Sequence, residues 1–227
     1  MHIRTLHSWD VATTEVAALQ RQLAEQVQTN TPLLRWDLVA GADVSYDRGS
    51  NVVYAGVVVI RNSDGSVVER RGAMHETKFS YIPGFLSFRE APALLKALAK
   101  LETEPDVFMF DGQGLAHPRR LGLGCHVGLW LDRPSLGCAK SRLCGTFKEL
   151  GHTAGSLAPL IDHGDVVGDV VRTKNGVNPV FVSAGHRIDL PSAVRVVLAT
   201  GRGYRIPEPT RQADLYVNAL RRGDETC

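Results

Sequence analysis

The sequence contains no apolar run of the roughly 18 residues that a membrane helix requires. Its first ten residues, MHIRTLHSWD, carry neither the apolar stretch nor the small-residue cleavage site of a secretory signal. None of the four cysteines, Cys125, Cys138, Cys144 and Cys227, forms a CxxC pair, so a zinc-binding framework has no support. Free thiols in a reducing cytoplasm are therefore expected. Net charge is only +2, which gives the whole molecule no general attraction for polyanions. There is no internal repeat, no low-complexity tract and no linker, so residues 1–227 are read as one domain.

What is present is ordinary for a globular α/β protein, with 44% hydrophobic and 22% charged residues. Val11, Val16, Leu19, Leu23 and Val27 recur at helical spacing, predicting an amphipathic helix over 8–28. Apolar runs at 38–44 and 52–60 predict strands, and Asn62-Ser63-Asp64-Gly65 predicts a hairpin into a third strand over 66–70. A helix at 91–101, a strand at 106–110, a helix near 120–131 and a strand at 134–138 follow. The first half thus reads βββαβαβ, a mixed central sheet flanked by helices. Further strands are predicted at 166–172 and 180–183, joined through Asn175-Gly176, with closing helices at 192–200 and 209–221. Positive charge concentrates between 117 and 148, where Arg119, Arg120, Arg133, Lys140, Arg142 and Lys148 face only Asp132 as a counter-charge through residue 148. Such a stripe reads either as a phosphate track or as a solvated face.

Two acids stand in a recurring context. Asp43 and Asp111 each end an apolar strand that reads as buried on both faces. A carboxylate leaving a buried strand is costly unless its charge is satisfied. If the strands are neighbours, the two carboxylates converge and require a cation between them. Glu90, on a helix, and Asp214, on the last helix, are available to complete the cluster. An all-oxygen set of this kind suits Mg²⁺, with Mn²⁺ able to substitute. Taken singly, each acid also reads as a turn residue or a helix cap.

Five ordered segments carry a family resemblance. They are Tyr81-Ile82-Pro83-Gly84-Phe85-Leu86-Ser87-Phe88-Arg89-Glu90, Phe110-Asp111-Gly112-Gln113-Gly114-Leu115-Ala116-His117-Pro118-Arg119, Ala139-Lys140-Ser141-Arg142-Leu143-Cys144-Gly145, Phe181-Val182-Ser183-Ala184-Gly185-His186-Arg187 and Pro207-Glu208-Pro209-Thr210-Arg211. Together they resemble the endonuclease V family over roughly residues 8–221. The resemblance implies an RNase H-like fold. It implies cleavage of inosine-containing DNA, single- or double-stranded, and also of RNA, at the second phosphodiester bond 3′ to the inosine. It makes Asp43, Glu90 and Asp111 metal-binding acids, Asp214 a fourth catalytic acid and Lys140 a group beside the scissile phosphate.

Tyr81, Ile82 and Pro83 correspond to a wedge that enters a base step. Ser80 stands where the family usually has proline, and Phe85 where leucine is common. Leu86, Gly112, Gly114, Gly122 and Leu143 are candidates for a base pocket, because backbone beside glycine can approach a base closely. Arg119 and Arg142 are candidates for phosphate contacts. His117 and His186 are candidates for support near the site. The molecule is expected to act as a monomer. Two rival readings remain: an actin-like phosphotransferase, against which the glycine-poor stretch Asp43-Val44-Ser45-Tyr46-Asp47-Arg48 counts, and a nucleic-acid-binding module without catalysis. The nuclease reading requires Asp43, Glu90 and Asp111 to meet at one sheet edge, with none buried against a fixed basic partner.

Overall fold

The computed structural model describes residues 1–227. Its elements run α1 (Thr13–Ala24), β1 (Leu38–Ser45), β2 (Val52–Arg61), β3 (Val67–Glu76), α2 (Leu86–Ala99), β4 (Val107–Phe110), α3 (Leu123–Leu131), β5 (Ser135–Ala139), β6 (Leu157–Asp162), β7 (Asp165–Val171), β8 (Val180–Ala184), α4 (Leu190–Ala199) and α5 (Glu208–Arg222). One eight-stranded sheet has the order β3-β2-β1-β4-β5-β8-β7-β6. β1 pairs antiparallel with β2 and parallel with β4, and β4 pairs parallel with β5. The order 3-2-1-4-5 with only the first hairpins antiparallel is the RNase H-like arrangement, extended here by an antiparallel β8-β7-β6 meander. No helix is long and apolar enough to cross a membrane.

Strand alternation divides the core between two faces. Ala40, Ala42, Phe108 and Phe110 pack with Leu94 and Leu98 of α2 and Val127 of α3. Val39, Val107 and Met109 pack on the opposite face with α4 and with Ala213, Tyr216 and Leu220 of α5.

The seating of α5 depends on glycine. A Cβ at Gly41 would lie 2.0 Å from the Pro209 carbonyl carbon and oxygen. One at Gly56 would lie 2.9 Å from Val217 Cβ. The glycines open a shallow path across β1 and β2, so the last helix sits directly on the strands and carries Asp214 to their ends. Gly41→Ala is expected to destabilise the fold by about 3 kcal/mol or more, since backbone on backbone has no flexible group to yield. Denaturant unfolding measures it, and a loss below about 1 kcal/mol would show that α5 can shift freely.

Several expected boundaries move. The first helix begins at Thr13, and before it Ile3, Leu6 and Trp9 lie in an irregular segment packed against the α2–α3 side of the core. The third strand continues to Glu76, and α2 starts at Leu86 with Pro92 inside it. β6 was not expected at all. Pro159 argues against a strand, and β6 tolerates it only because it is the sheet edge. Its hairpin to β7 turns through His163 and Gly164, both at positive φ.

Candidate functional site

The register of β1 and β4 brings the two strand-end acids together. Ala42 pairs with Phe110, and the Asp111 amide donates to the Ala42 carbonyl at 3.1 Å. Asp43, inside β1 just past its pairing with β4, and Asp111, just after β4, therefore stand at the same level. Lys140, just beyond β5, reaches them both. Its Nζ lies 2.5 Å from Asp111 Oδ2, 3.9 Å from Asp43 Oδ2 and 3.4 Å from Asp214 Oδ1. Three carboxylates distant in sequence thus surround one ammonium. The Lys140 side chain is 41% exposed, so this partner is a movable one on a flexible stem and does not seal Asp111 away.

Glu90 projects from α2 into the same cleft and is almost fully buried. No hydrogen bond or ion pair neutralises it. The adjacent Arg89 faces elsewhere, donating to the Phe79 and Ser50 carbonyls at 2.7 and 2.8 Å. Burial, then the charge of Asp111, pushes Glu90 up to about 8. Burial and Asp111 likewise push Asp43 up to about 9, although its Oδ1 accepts from the Val44 amide at 2.8 Å. Burial also raises Asp111, against the opposing pull of Lys140. Burial would lower Lys140, but Asp111, Asp43 and Asp214 outweigh it and keep the ammonium protonated.

Four carboxyl groups face one ammonium, and the raised proton affinity of Asp43, Glu90 and Asp111 reflects burial and the lack of further positive charge among these oxygen donors. That donor set fits a hard divalent cation. As the side chains stand, no three acidic groups close into a ready cage, because the lysine head lies among them.

The acids border an open cleft of ≈ 560 Å³, whose rim includes Tyr81, Leu143 and the exposed Arg142. A smaller pocket of ≈ 90 Å³ adjoins it, walled by Tyr81, Pro83, Leu86, Leu121, Gly122 and Leu143. Tyr81 is 60% exposed at the tip of its loop. The structure thus brings Leu86, Gly122 and Leu143 to one pocket. Gly112 lines the acidic cleft instead. Gly114 is a packing glycine: its amide donates to Ser183 Oγ at 2.8 Å, and a Cβ there would strike the Ala184 carbonyl oxygen at 2.2 Å. Gln113, Ser87 and His117 also line the pocket. Of these the sequence singled out only His117; Gln113 lies in the glycine-rich turn after β4 and Ser87 in the first turn of α2.

The basic stripe does not survive as a continuous track. Arg119 is engaged internally, donating to Gln20 Oε1 at 2.5 Å and to the Gly84 carbonyl at 2.7 Å while lying over the Phe85 ring. Two of its three guanidinium nitrogens are thus held by the protein itself rather than turned to solvent. Arg120 pairs with Asp162 at 2.6 Å, and Arg133 with Glu104 at 3.6 Å. Arg142 and Lys148 keep free heads. His186 is also corrected: it pairs with Asp132 at 3.2 Å beyond the end of α3, outside both the cleft and the pocket. One residue that the sequence did not single out, Arg205, donates to the backbone carbonyl of Lys140 at 2.6 Å and to those of Asn178 and Pro179 at 2.9 Å, tying the end of β5 to the loop before β8.

An RNase H-like sheet with carboxylates leaving its adjacent central strands, beside an open cleft, defines a class: a metal-dependent phosphodiester hydrolase. Comparison with known proteins narrows it. The family model for Endonuclease V matches residues 18–215, and the chain belongs to that family. Endonuclease V of Myxococcus xanthus is 49% identical over 217 residues, covering 95% of this chain and 92% of that protein. The crystal structure of Endonuclease V from Streptomyces avermitilis superposes with a TM-score of 0.90 at 39% identity, covering 99% of this chain and 100% of that one. Endonuclease V of Ciona intestinalis, solved in complex with a 24mer DNA containing an inosine followed by a ribo-adenosine, is 25% identical with a TM-score of 0.81, over 93% of this chain and 98% of that one. The chain is accordingly an endonuclease, and its family implies a divalent metal cofactor.

Proposed function

We propose that this endonuclease recognises deoxyinosine in DNA and hydrolyses the second phosphodiester bond on its 3′ side with Mg²⁺, leaving a 3′-hydroxyl and a 5′-phosphate. The observation that carries the reading is the gathering of Asp43, Asp111 and Asp214 on Lys140, with Glu90 buried alongside, next to a small pocket capped by Tyr81. The complex of the Ciona relative with inosine-containing DNA supports the substrate. Asp43, Glu90 and Asp111 would hold the cation, and Asp214 completes the acidic rim. When bound, such an ion would supply Lewis acidity toward the phosphate and toward water, with Mn²⁺ able to take its place.

The chain's own groups do the rest. The Lys140 ammonium, on its flexible stem at the edge of the cleft, would face the phosphate and stabilise charge developing on its oxygens. Arg142, exposed at the rim, holds the backbone. Tyr81, Ile82 and Pro83 enter the stack where the base leaves it. Inosine lacks the 2-amino group of guanine, and a pocket of ≈ 90 Å³ walled by leucines leaves little room for that substituent. Inosine in RNA is a second substrate in this reading, and the protein acts as a monomer in the cytoplasm.

Matched oligonucleotides, inosine against guanosine, in DNA and in RNA, test the assignment. Cleavage is expected at inosine only, and only with Mg²⁺ or Mn²⁺. Equal cutting at guanosine would refute the pocket argument, and cutting in excess chelator would refute the metal. Tyr81→Ala is expected to weaken binding to inosine duplexes more than to inosine single strands, because only a duplex must be opened.

A further inference from the structure

The loop that carries Tyr81 is held by an unusual contact. The Gly84 carbonyl oxygen receives three donors: Gln20 Nε2 at 3.0 Å, His117 Nε2 at 2.9 Å and Arg119 Nη2 at 2.7 Å. Gly84 sits at φ +81°, which turns its carbonyl inward, and a Cβ there would lie 2.8 Å from Arg119 Nη2. The donors bind one another as well. Arg119 Nε donates to Gln20 Oε1 at 2.5 Å, and the Arg119 amide donates to His117 Nδ1 at 3.1 Å. That second bond fixes the ring with its proton on Nε2, toward Gly84. Burial lowers His117 to about 4, so the ring stays neutral in this form at neutral pH.

Gln20 is fully buried on α1, far in sequence from every segment that forms the cleft. Both ends of its amide are used, one on the loop and one on Arg119. At the other end of the loop, Arg89 donates to the Phe79 carbonyl at 2.7 Å. The stretch Ser80 to Pro83 is thus pinned at both ends by side-chain donors, and its tip is left exposed. These pins matter here because Ser80 does not restrict the backbone as a proline would.

We infer that Gln20, with His117 and Arg119, is a positioning residue for the loop Tyr81–Pro83: it makes the first helix part of the device that opens a base step. The inference rests on the reading of Tyr81–Pro83 as a wedge. A wedge held in its working shape pays no ordering entropy when it enters the stack, so its stiffness raises affinity for duplex and leaves an already open strand unaffected.

Gln20→Glu is the informative variant. It keeps an oxygen for Arg119 and removes the N–H that Gly84 accepts. In the free protein, amide hydrogen exchange over residues 79–86 is expected to accelerate about tenfold, the equivalent of one lost bond to a buried carbonyl, while β1 and β4 stay protected. In Ca²⁺, affinity for an inosine duplex is expected to fall about tenfold, with a change below about twofold for an inosine single strand. Unchanged exchange in the loop would overturn the inference, as would equal losses on the two substrates when Tyr81→Ala in parallel discriminates between them. If Tyr81→Ala shows no preference for duplex, the wedge reading falls, and loop exchange alone decides whether Gln20 is a clamp. Should Gln20→Glu unfold, Arg119→Met removes a donor to the same carbonyl from the other side and is read in the same two assays.

Discussion

Asp43→Asn and Asp111→Asn are each expected to reduce cleavage by at least about 10³-fold, or ~4 kcal/mol of transition-state stabilisation, while binding of inosine DNA in Ca²⁺ survives. The substitution keeps size and one oxygen and removes the charge that a divalent cation requires. Asp43 is well suited to this test because its cost to the fold is also calculable in sign. Its carboxylate is buried beside Asp111, and the metal-free protein gains by neutralising it. The side-chain oxygen that Asp43→Asn retains can still accept from the Val44 amide, the bond that Asp43 Oδ1 makes at 2.8 Å. The metal-free variant is therefore expected to melt no lower than the wild type, while being inert. Such opposition between stability and activity marks a site whose strain serves function. Wild-type rates in both variants would remove these acids from the reaction.

The second large effect is the response of stability to metal and pH. An acid at about 9 in the folded chain and near 3.9 when unfolded binds more protons in the native state across that interval. Its contribution to stability is thus present below about pH 4 and is lost progressively as pH rises toward 9. Glu90, at about 8, acts in the same direction. The measurable quantity is the difference in Tm between wild type and Asp43→Asn without metal: the wild type is expected to lose ground steadily from pH 5 to pH 9. A divalent cation reverses this, since it requires the ionised carboxylates. At a hundredfold excess over its dissociation constant, Mg²⁺ is expected to raise Tm by roughly 5–10 °C, more at pH 9 than at pH 6. Cleavage at limiting Mg²⁺ should climb over the same range and flatten when metal is abundant. A Tm indifferent to Mg²⁺, or a wild type that gains on the variant with rising pH, would contradict the site.

Much of this was legible in the residues. Apolar runs that end in aspartate encode both central strands and their acids, because hydrophobic burial and a sudden charge are strong local signals. The βββαβαβ order follows from the same periodicities and matches the strands and helices from β1 to β5. What was not legible depends on where a side chain points. Arg119 reads as a surface cation, yet Gln20 and the Gly84 carbonyl lie within its reach only after α1 has packed. Gln20 reads as the wet side of an amphipathic helix and is fully buried. Gly114 reads as a pocket glycine, but the crowding that demands it comes from Ala184, a remote strand end. β6 was hidden by Pro159, which is tolerated because the outer side of this edge strand meets another segment only at Ile161, where it bridges Thr146.

The pairing of Ala42 with Phe110 has a consequence for what errors this chain can make. A one-residue slip of β4 would turn Phe108 and Phe110 away from the α2 face and drive Asp111 off the level of Asp43. The same slip would expose aromatic surface, so the faulty conformer is too unstable to accumulate. The hydrophobic pattern that builds the core therefore also sets the level at which the two acids meet.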